Sequence, residues 1–218
     1  MRRIEDVLAS WFIAICISGA LPACSSAQES TQEGDRKETT RGEIAQREER
    51  TVSAIDEVLE ANRRYAERFN QGGLPGRPPS LRLAVVTCLD CRVHVSKLLD
   101  LDLGAAHIIR NAGGIVTEDV LRSLIISHHI GGTQEFMIIN NTKCGMLTFK
   151  DEELASRLER ETGKLPVVPA RFLAFTDLQE NVREQIRKVR SHPWIPESIP
   201  VRGFIYDVDT GRLTELSP

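Results

Sequence analysis

The chain has 218 residues, of which 41% are hydrophobic and 27% charged, a globular composition that excludes a mostly disordered or multi-spanning protein. Its 28 Lys and Arg against 31 Asp and Glu give a formal net charge of -3, so no broad positive field exists to bind nucleic acid or anionic lipid. Five cysteines are too few for a disulfide scaffold, so each must be judged by its neighbours.

The first 24 residues have the layout of an export signal. Residues 7–23 carry no charge and follow Arg2 and Arg3, which is more typical of a signal peptide than of a membrane-spanning helix. The segment ends in Leu-Pro-Ala-Cys24, which resembles the lipobox of bacterial lipoproteins, where the cysteine is acylated. We therefore predict an exported protein, either periplasmic or anchored to the membrane as a lipoprotein through Cys24. The alternatives are an apolar N-terminal helix or a misassigned start codon.

Residues 25–50 read as a disordered tether. They contain seven acidic and five basic side chains, but Ile44 is the single larger aliphatic residue among them. Such a segment cannot bury enough apolar surface to offset the entropy of an ordered chain. The folded domain is therefore predicted over residues 51–218.

Helical and strand patterns alternate along this domain. Between Val52 and Phe69, apolar residues recur at spacings of three and four, which predicts an amphipathic helix. After a Gly- and Pro-rich break, short apolar runs predict strands at 81–87, 106–110 and 135–140. Helices are predicted at 95–101, 118–130 and 177–190, and a terminal hairpin at 201–207 and 212–216. This order predicts an α/β fold, with a mostly parallel β-sheet flanked by helices on both faces and a C-terminal antiparallel hairpin.

Chemically active side chains follow two of the predicted strands. Cys88-Leu89-Asp90-Cys91-Arg92 follows the first strand, and Cys144 follows the third. Ligands of open α/β sheets bind at the carboxyl ends of the strands, so these two loops are expected to meet. Thiolates are preferred zinc ligands, and a catalytic zinc site keeps one position open. The alternative is that each cysteine is a small core residue and that Asp90 with Arg92 is a local ion pair.

These residues resemble the β-class carbonic anhydrases, whose first signature, Cys-x-Asp-x-Arg, is matched by Cys88, Asp90 and Arg92. The resemblance covers roughly residues 54–216. Further stretches similar to the family, in the same order, are His107-Ile108-Ile109-Arg110-Asn111-Ala112-Gly113, Leu121-Arg122-Ser123-Leu124, Cys144-Gly145-Met146, Phe175-Thr176-Asp177 with Asn181-Val182, and Arg202-Gly203-Phe204.

The resemblance implies a zinc lyase that interconverts carbon dioxide and bicarbonate, usually as a homodimer or higher homo-oligomer. It implies Cys88 and Cys144 as zinc ligands and Asp90 with Arg92 as the catalytic pair. Asp90 would either pair with Arg92 or itself ligate zinc. Zinc makes water acidic enough to act as a nucleophile near neutral pH. For the apolar helix at 52–69, the resemblance favours packing on a partner subunit.

One position departs from the family pattern. The second family signature is His-x-x-Cys, and the residue three before Cys144 is Asn141. A carboxamide oxygen is a harder and weaker zinc donor than imidazole, so zinc affinity should fall unless another group compensates. Cys91 is the candidate replacement, because Cys88 and Cys91 have the Cys-x-x-Cys spacing of many zinc sites. The hypothesis is that Cys88, Cys91 and Cys144 bind zinc together, with Asp90 or water as the fourth ligand.

Two other functions stay open at this point. The chain is alternatively a catalytically inactive relative that keeps the fold for a binding or structural role, which Asn141 favours. It is otherwise a thiol redox protein that uses Cys88 and Cys91, since the spacing permits disulfide exchange in an oxidising compartment.

Overall fold

The computed structural model describes residues 53–165, 169 and 171–217. The predicted signal peptide (residues 1–24, including Cys24) and the predicted tether (residues 25–50) lie outside the described residues. Export and lipid anchoring therefore stay predictions. In the part of the chain that is described, no helix has the length and apolar character needed to cross a membrane.

The fold is organised around one five-stranded sheet with the spatial order β2-β1-β3-β4-β5. Its strands are β1 (Leu83–Cys88), β2 (Ala106–Asn111), β3 (Glu135–Asn141), β4 (Val201–Tyr206) and β5 (Leu213–Leu216). β1 pairs in parallel with β2 and β3, β3 pairs in parallel with β4, and β5 runs antiparallel to β4. The predicted mostly parallel sheet with a C-terminal antiparallel pair is confirmed.

The described residues contain five α-helices: α1 (Ala54–Ala66), α2 (Val95–Leu98), α3 (Glu118–His129), α4 (Asp151–Thr162) and α5 (Leu178–Arg190). Side chains of the residues that precede α1, α3 and α5 cap these helices by accepting a backbone N–H of the first turn. The sequence analysis did not predict α4. The apolar residues of α4 are Leu154, Ala155 and Leu158, all half-buried, and so short a stripe among charged residues gives a weaker sequence signal than the longer stripe of α1.

Alternating side chains of the central strands belong to two apolar clusters, one on each face of the sheet. On one face, Val86 and Ile138 pack in a cluster with Leu124 of α3 and Val182 of α5. On the other face, Val85, Ile139 and Val95 form a second cluster, joined by partly buried side chains of β4 and of the segment after α2. Because successive strand residues point to opposite faces, both sides of the sheet are covered.

The chain divides into two compact units at residue 68. The described part of the first unit is α1, whose residues are all exposed, including Ile55, Val58 and Leu59. The second unit, from residue 69 onward, contains the whole sheet and α2 to α5.

Gly203 of β4 lies where α5 approaches the sheet closely. A Cβ added there would lie 2.5 Å from Val182 Cγ1 and 2.6 Å from Ile186 Cδ1, and both side chains are buried. We predict that Gly203→Ala lowers the free energy of unfolding by about 1–3 kcal/mol, because α5 must shift to admit the methyl group. Urea unfolding measures this change.

Gly73→Ala is the matched control, since nothing lies within 4 Å of an added Cβ at that position. Its free energy of unfolding should stay within about 0.5 kcal/mol of the unchanged chain. Equal stability of the two variants would contradict the close packing of α5 on β4.

Candidate functional site

Two buried thiols meet at the carboxyl ends of β1 and β3. Cys88 is the last residue of β1, and Cys144 lies three residues beyond the end of β3. Parallel pairing of the two strands brings these ends together, and the two Sγ atoms lie 3.8 Å apart. Their exposed fractions are 4% and 2%. Met146, Phe149 and Phe175 pack around the pair, so the thiols lie in an apolar setting.

The two thiols have unequal proton affinities. A hydrogen bond from Cys144 lowers the pKa of Cys88, against the opposing effect of burial, and the backbone N–H groups of Asp90 and Gly113 help. The same contact with Cys88, together with burial, raises the pKa of Cys144. The Cys88 thiol is therefore the more acidic of the two.

The predicted pair of Asp90 and Arg92 is present as a bidentate ion pair. Arg92 Nε donates to Asp90 Oδ1 at 3.0 Å and Nη2 donates to Oδ2 at 2.6 Å, while the Arg92 backbone N–H also reaches Oδ1 at 3.0 Å. These contacts with Arg92 lower the pKa of Asp90 to about 2 although burial opposes them. Asp90 is therefore an anion at neutral pH. Arg92 Nη2 also donates to the backbone carbonyl of Lys143, which joins the two loops.

Arg110 of β2 is a site residue that sequence reasoning did not single out. Its Nε donates to the backbone carbonyl of Cys88 at 3.0 Å, and its Nη2 donates to the backbone carbonyl of Asp90 at 2.8 Å. The position of Arg110 at the carboxyl end of a strand paired with β1, opposite Thr87, was the available signal. Arg110 therefore fixes the backbone conformation of the loop that carries Asp90.

A chain of buried amides supports the site from behind. Asn140 donates to the backbone carbonyls of Gly113 and Gly114, Asn181 donates to Asn140, and Gln185 donates to Asn181. Gly113 has a φ of 81°, and its turn passes close to Met146, so glycine suits both the conformation and the space. This turn supplies the Gly113 N–H that contacts Cys88, so the amides help to fix the surroundings of the Cys88 sulfur.

Asn141, which stands where the family pattern has histidine, is fully buried at the end of β3. Its Nδ2 donates to Asp90 Oδ2 and to the backbone carbonyl of Thr142, both at 3.0 Å. Asn141 therefore contacts the Asp90–Arg92 pair directly.

Cys91 is placed differently from the other two cysteines, since it is an exposed free thiol. Within the residues that the structure describes, no three His, Cys, Asp or Glu side chains are grouped so that they could hold a metal ion. The structure thus brings Cys88, Cys144, Asp90, Arg92 and Asn141 together and does not add Cys91 to them. The assignment of metal ligands stays a prediction.

The thiol pair fits zinc in spacing and in chemistry. Two sulfurs about 2.3 Å from a tetrahedral zinc ion lie about 3.8 Å from each other, which matches the observed Sγ–Sγ distance. Cys88 and Cys144 would hold the metal, and two thiolates would neutralise its charge. The charge of Asp90 is already neutralised by Arg92, so it would not alter the balance between the metal and the two thiolates.

Loss of the guanidinium is expected to raise the pKa of Asp90. In Arg92→Ala this pKa should move from about 2 towards 3.8, its ordinary value, because the first cause of its depression is removed. A carboxyl group whose pKa is lowered by folding stabilises the folded state at every pH above its ordinary pKa. This contribution is lost as the pH falls through the folded-state pKa of about 2. The variant should therefore unfold at a higher pH on acidification. An NMR titration of the Asp90 carboxyl carbon and an acid-unfolding curve measure both effects.

Arg122→Ala is the control, because Arg122 forms a similar two-donor contact with Asp119 on the exposed surface of α3. It should leave the pKa of Asp90 unchanged. An unaltered Asp90 titration in Arg92→Ala would contradict the proposed origin of the shift.

Comparison with known proteins places these features in a family. The family model described as "Carbonic anhydrase" matches residues 83–213. Beta-carbonic anhydrase 1 of Mycobacterium tuberculosis is 40% identical over 167 residues, which cover 77% of this chain and 100% of that protein. A carbon disulfide hydrolase of Acidianus sp. is 33% identical over 181 residues, covering 73% of this chain and 89% of that protein.

Solved structures agree with these matches. The crystal structure of carbonic anhydrase from Streptococcus mutans superposes with a TM-score of 0.71 at 45% sequence identity, covering 76% of this chain and 98% of that one. The chain therefore belongs to the β-carbonic anhydrase family.

Proposed function

We propose that this protein is a zinc lyase that interconverts carbon dioxide and bicarbonate. The observation that carries the proposal is the buried pair of Cys88 and Cys144, whose sulfurs have the spacing of two zinc ligands, next to the ionised Asp90–Arg92 pair. When bound, zinc supplies Lewis-acid chemistry that makes water a nucleophile near neutral pH.

The chain's own residues prepare the site for a small uncharged substrate. Met146, Phe149 and Phe175 line the surroundings of the thiols with apolar surface, which suits carbon dioxide. Asp90 is ionised at neutral pH, so its carboxylate accepts hydrogen bonds and does not donate them. Arg92 and Arg110 fix the position of this acceptor through its side chain and its backbone carbonyl.

The thiol redox alternative receives less support than metal binding. Cys88 is buried with its sulfur beside Cys144, whereas Cys91 is exposed. An inactive relative with a binding role is favoured by one observation, namely that the described residues contain no group of three strong metal donors. The experiment below separates these possibilities.

We predict that the purified chain binds about one zinc ion and hydrates carbon dioxide, and that Asn141→His binds zinc more tightly because imidazole is the better donor. Elemental analysis and stopped-flow hydration measure both properties. Carbon disulfide should be assayed in parallel, because relatives include proteins named for its hydrolysis.

Cys88→Ser should lose zinc and activity together, since one of two thiolates is removed. Cys91→Ser is its matched control and should keep both. An unchanged chain without zinc, combined with gain of zinc and activity in Asn141→His, would instead identify an inactive carbonic anhydrase scaffold. Loss of zinc in Cys91→Ser would point to Cys91 as a ligand.

We further propose that the protein is a homodimer or a higher homo-oligomer. Ile55, Val58 and Leu59 lie on α1 with more than half of their surface exposed. Such an apolar stripe is unusual on a helix that faces water and favours burial against a second copy.

Replacing Val58 and Leu59 together by Glu should shift the solution mass towards the monomer, because charges cannot be buried without partners. Light scattering coupled to size exclusion measures this mass. Arg64→Glu changes the net charge by the same amount, lies five residues after Leu59 on the side of α1 away from the apolar stripe, and should leave the assembly intact. A monomeric mass for the unchanged chain would overturn this proposal.

A further inference from the structure

The side chain of Asn141 has one end satisfied and the other end unpartnered. Its Nδ2 uses both hydrogens, one on Asp90 Oδ2 and one on the backbone carbonyl of Thr142. Both partners are acceptors, so the amide cannot be turned over to place its oxygen there. The orientation of Asn141 is therefore determined by its neighbours, and Oδ1 must be the free end.

Asn141 Oδ1 is the one buried side-chain nitrogen or oxygen without a hydrogen-bond partner in the described part of the chain. The other buried amides near the site all form side-chain hydrogen bonds, namely those of Asn140, Asn181 and Gln185. A buried acceptor left without a partner destabilises the fold, because it has lost its hydrogen bonds to water without replacing them. Such an atom in a native protein calls for an explanation, and an ion is one of the established ones.

Hydrogen bonds connect the Asn141 side chain to the thiol pair by way of Asp90. The amide contacts the Asp90 side chain, and the backbone N–H of Asp90 lies 3.5 Å from Cys88 Sγ. Cys88 Sγ in turn contacts Cys144 Sγ. The Asn141 side chain, which bears the unpartnered oxygen, thus belongs to the same connected group of polar residues as the two candidate zinc ligands.

The Asp90 carboxylate is fully engaged elsewhere. Its Oδ1 accepts from the backbone N–H and the Nε of Arg92, and its Oδ2 accepts from Arg92 Nη2 and Asn141 Nδ2. An ionised carboxylate has about four acceptor positions, so none is left for a metal in this arrangement. The site therefore contains two thiols and one open oxygen donor, Asn141 Oδ1.

We propose that Asn141 is the third protein ligand of a zinc ion held by Cys88 and Cys144, coordinating through Oδ1 while its Nδ2 holds Asp90 against Arg92. This inference rests on the proposed function, because it requires zinc at the thiol pair. Asn141 thereby performs two tasks with one side chain. It completes the donor set with a neutral oxygen, and it keeps Asp90 outside the coordination shell.

The test is the zinc affinity of the full chain, measured by competition with a chromophoric chelator. Asn141→Ala should bind zinc at least about tenfold more weakly, since effects of this size accompany loss of contacts at metal sites. Asn141→His should bind at least as tightly as the unchanged chain, because an imidazole nitrogen replaces the amide oxygen as the donor. Thr142→Val is the matched control, since it removes a hydroxyl that accepts only from the Val208 N–H in this structure, and its zinc affinity should be unchanged.

X-ray absorption of the zinc-loaded natural chain gives a second test that needs no variant. We expect two sulfurs at about 2.3 Å and oxygen donors at about 2.0–2.2 Å. Three sulfurs would show recruitment of Cys91 and overturn the proposal. Zinc affinity that is unchanged in Asn141→Ala, or as weak in Asn141→His as in Asn141→Ala, would also overturn it.

The failure of this inference can be told apart from failure of the proposed function. If zinc binds through Cys88 and Cys144 and carbon dioxide is hydrated, but Asn141→Ala leaves affinity unchanged, the function stands and the ligand assignment falls. If affinity depends on Asn141 but no hydration occurs, the ligand assignment stands and the function falls. Absence of zinc from the natural chain overturns both.

Discussion

The parallel pairing of β1 with β3 is the constraint on which the site depends. It places the ends of two strands side by side, so that a cysteine at the end of one and a cysteine just beyond the other come within 3.8 Å between their sulfurs. Both faces of these strands are covered by apolar side chains, and a slip of register would turn every one of them to the wrong face. The packing that stabilises the sheet therefore also sets the distance between the thiols.

Most charged side chains next to the two thiols are already neutralised by an ion-pair partner. Arg92 neutralises Asp90, and Lys143 is paired with Asp209 on the surface of the hairpin turn. A divalent cation at the thiol pair would balance the charge of two thiolates. The exposed Lys143–Asp209 pair adds little stability in water. The partly buried contact between Asp90 and Arg92, in contrast, clearly lowers the pKa of Asp90.

Much of this arrangement could be predicted from the sequence because its signals are local. Short apolar runs indicated the strands, and the spacing of Cys88, Asp90 and Arg92 indicated the motif. The helix α4 escaped prediction because its apolar residues are few, namely Leu154, Ala155 and Leu158 among charged side chains, so its apolar periodicity is weak. The contacts of Arg110 and of Asn141 depend on which strands become neighbours in space. A linear sequence does not record that two acceptors face one amide nitrogen, so the unpartnered oxygen could be found only in three dimensions.

The hydrogen bonds of Arg110 affect which residue types the segment from Cys88 to Arg92 can contain. Its guanidinium bonds to the backbone carbonyls of Cys88 and Asp90, so it holds the main chain without regard to which side chains that segment carries. Leu89 and Cys91, the two residues between the motif positions, both point to the exposed surface. The loop can therefore accept many residue types at these two places while the thiol and the carboxylate keep their positions, which leaves positions 89 and 91 open to mutational drift.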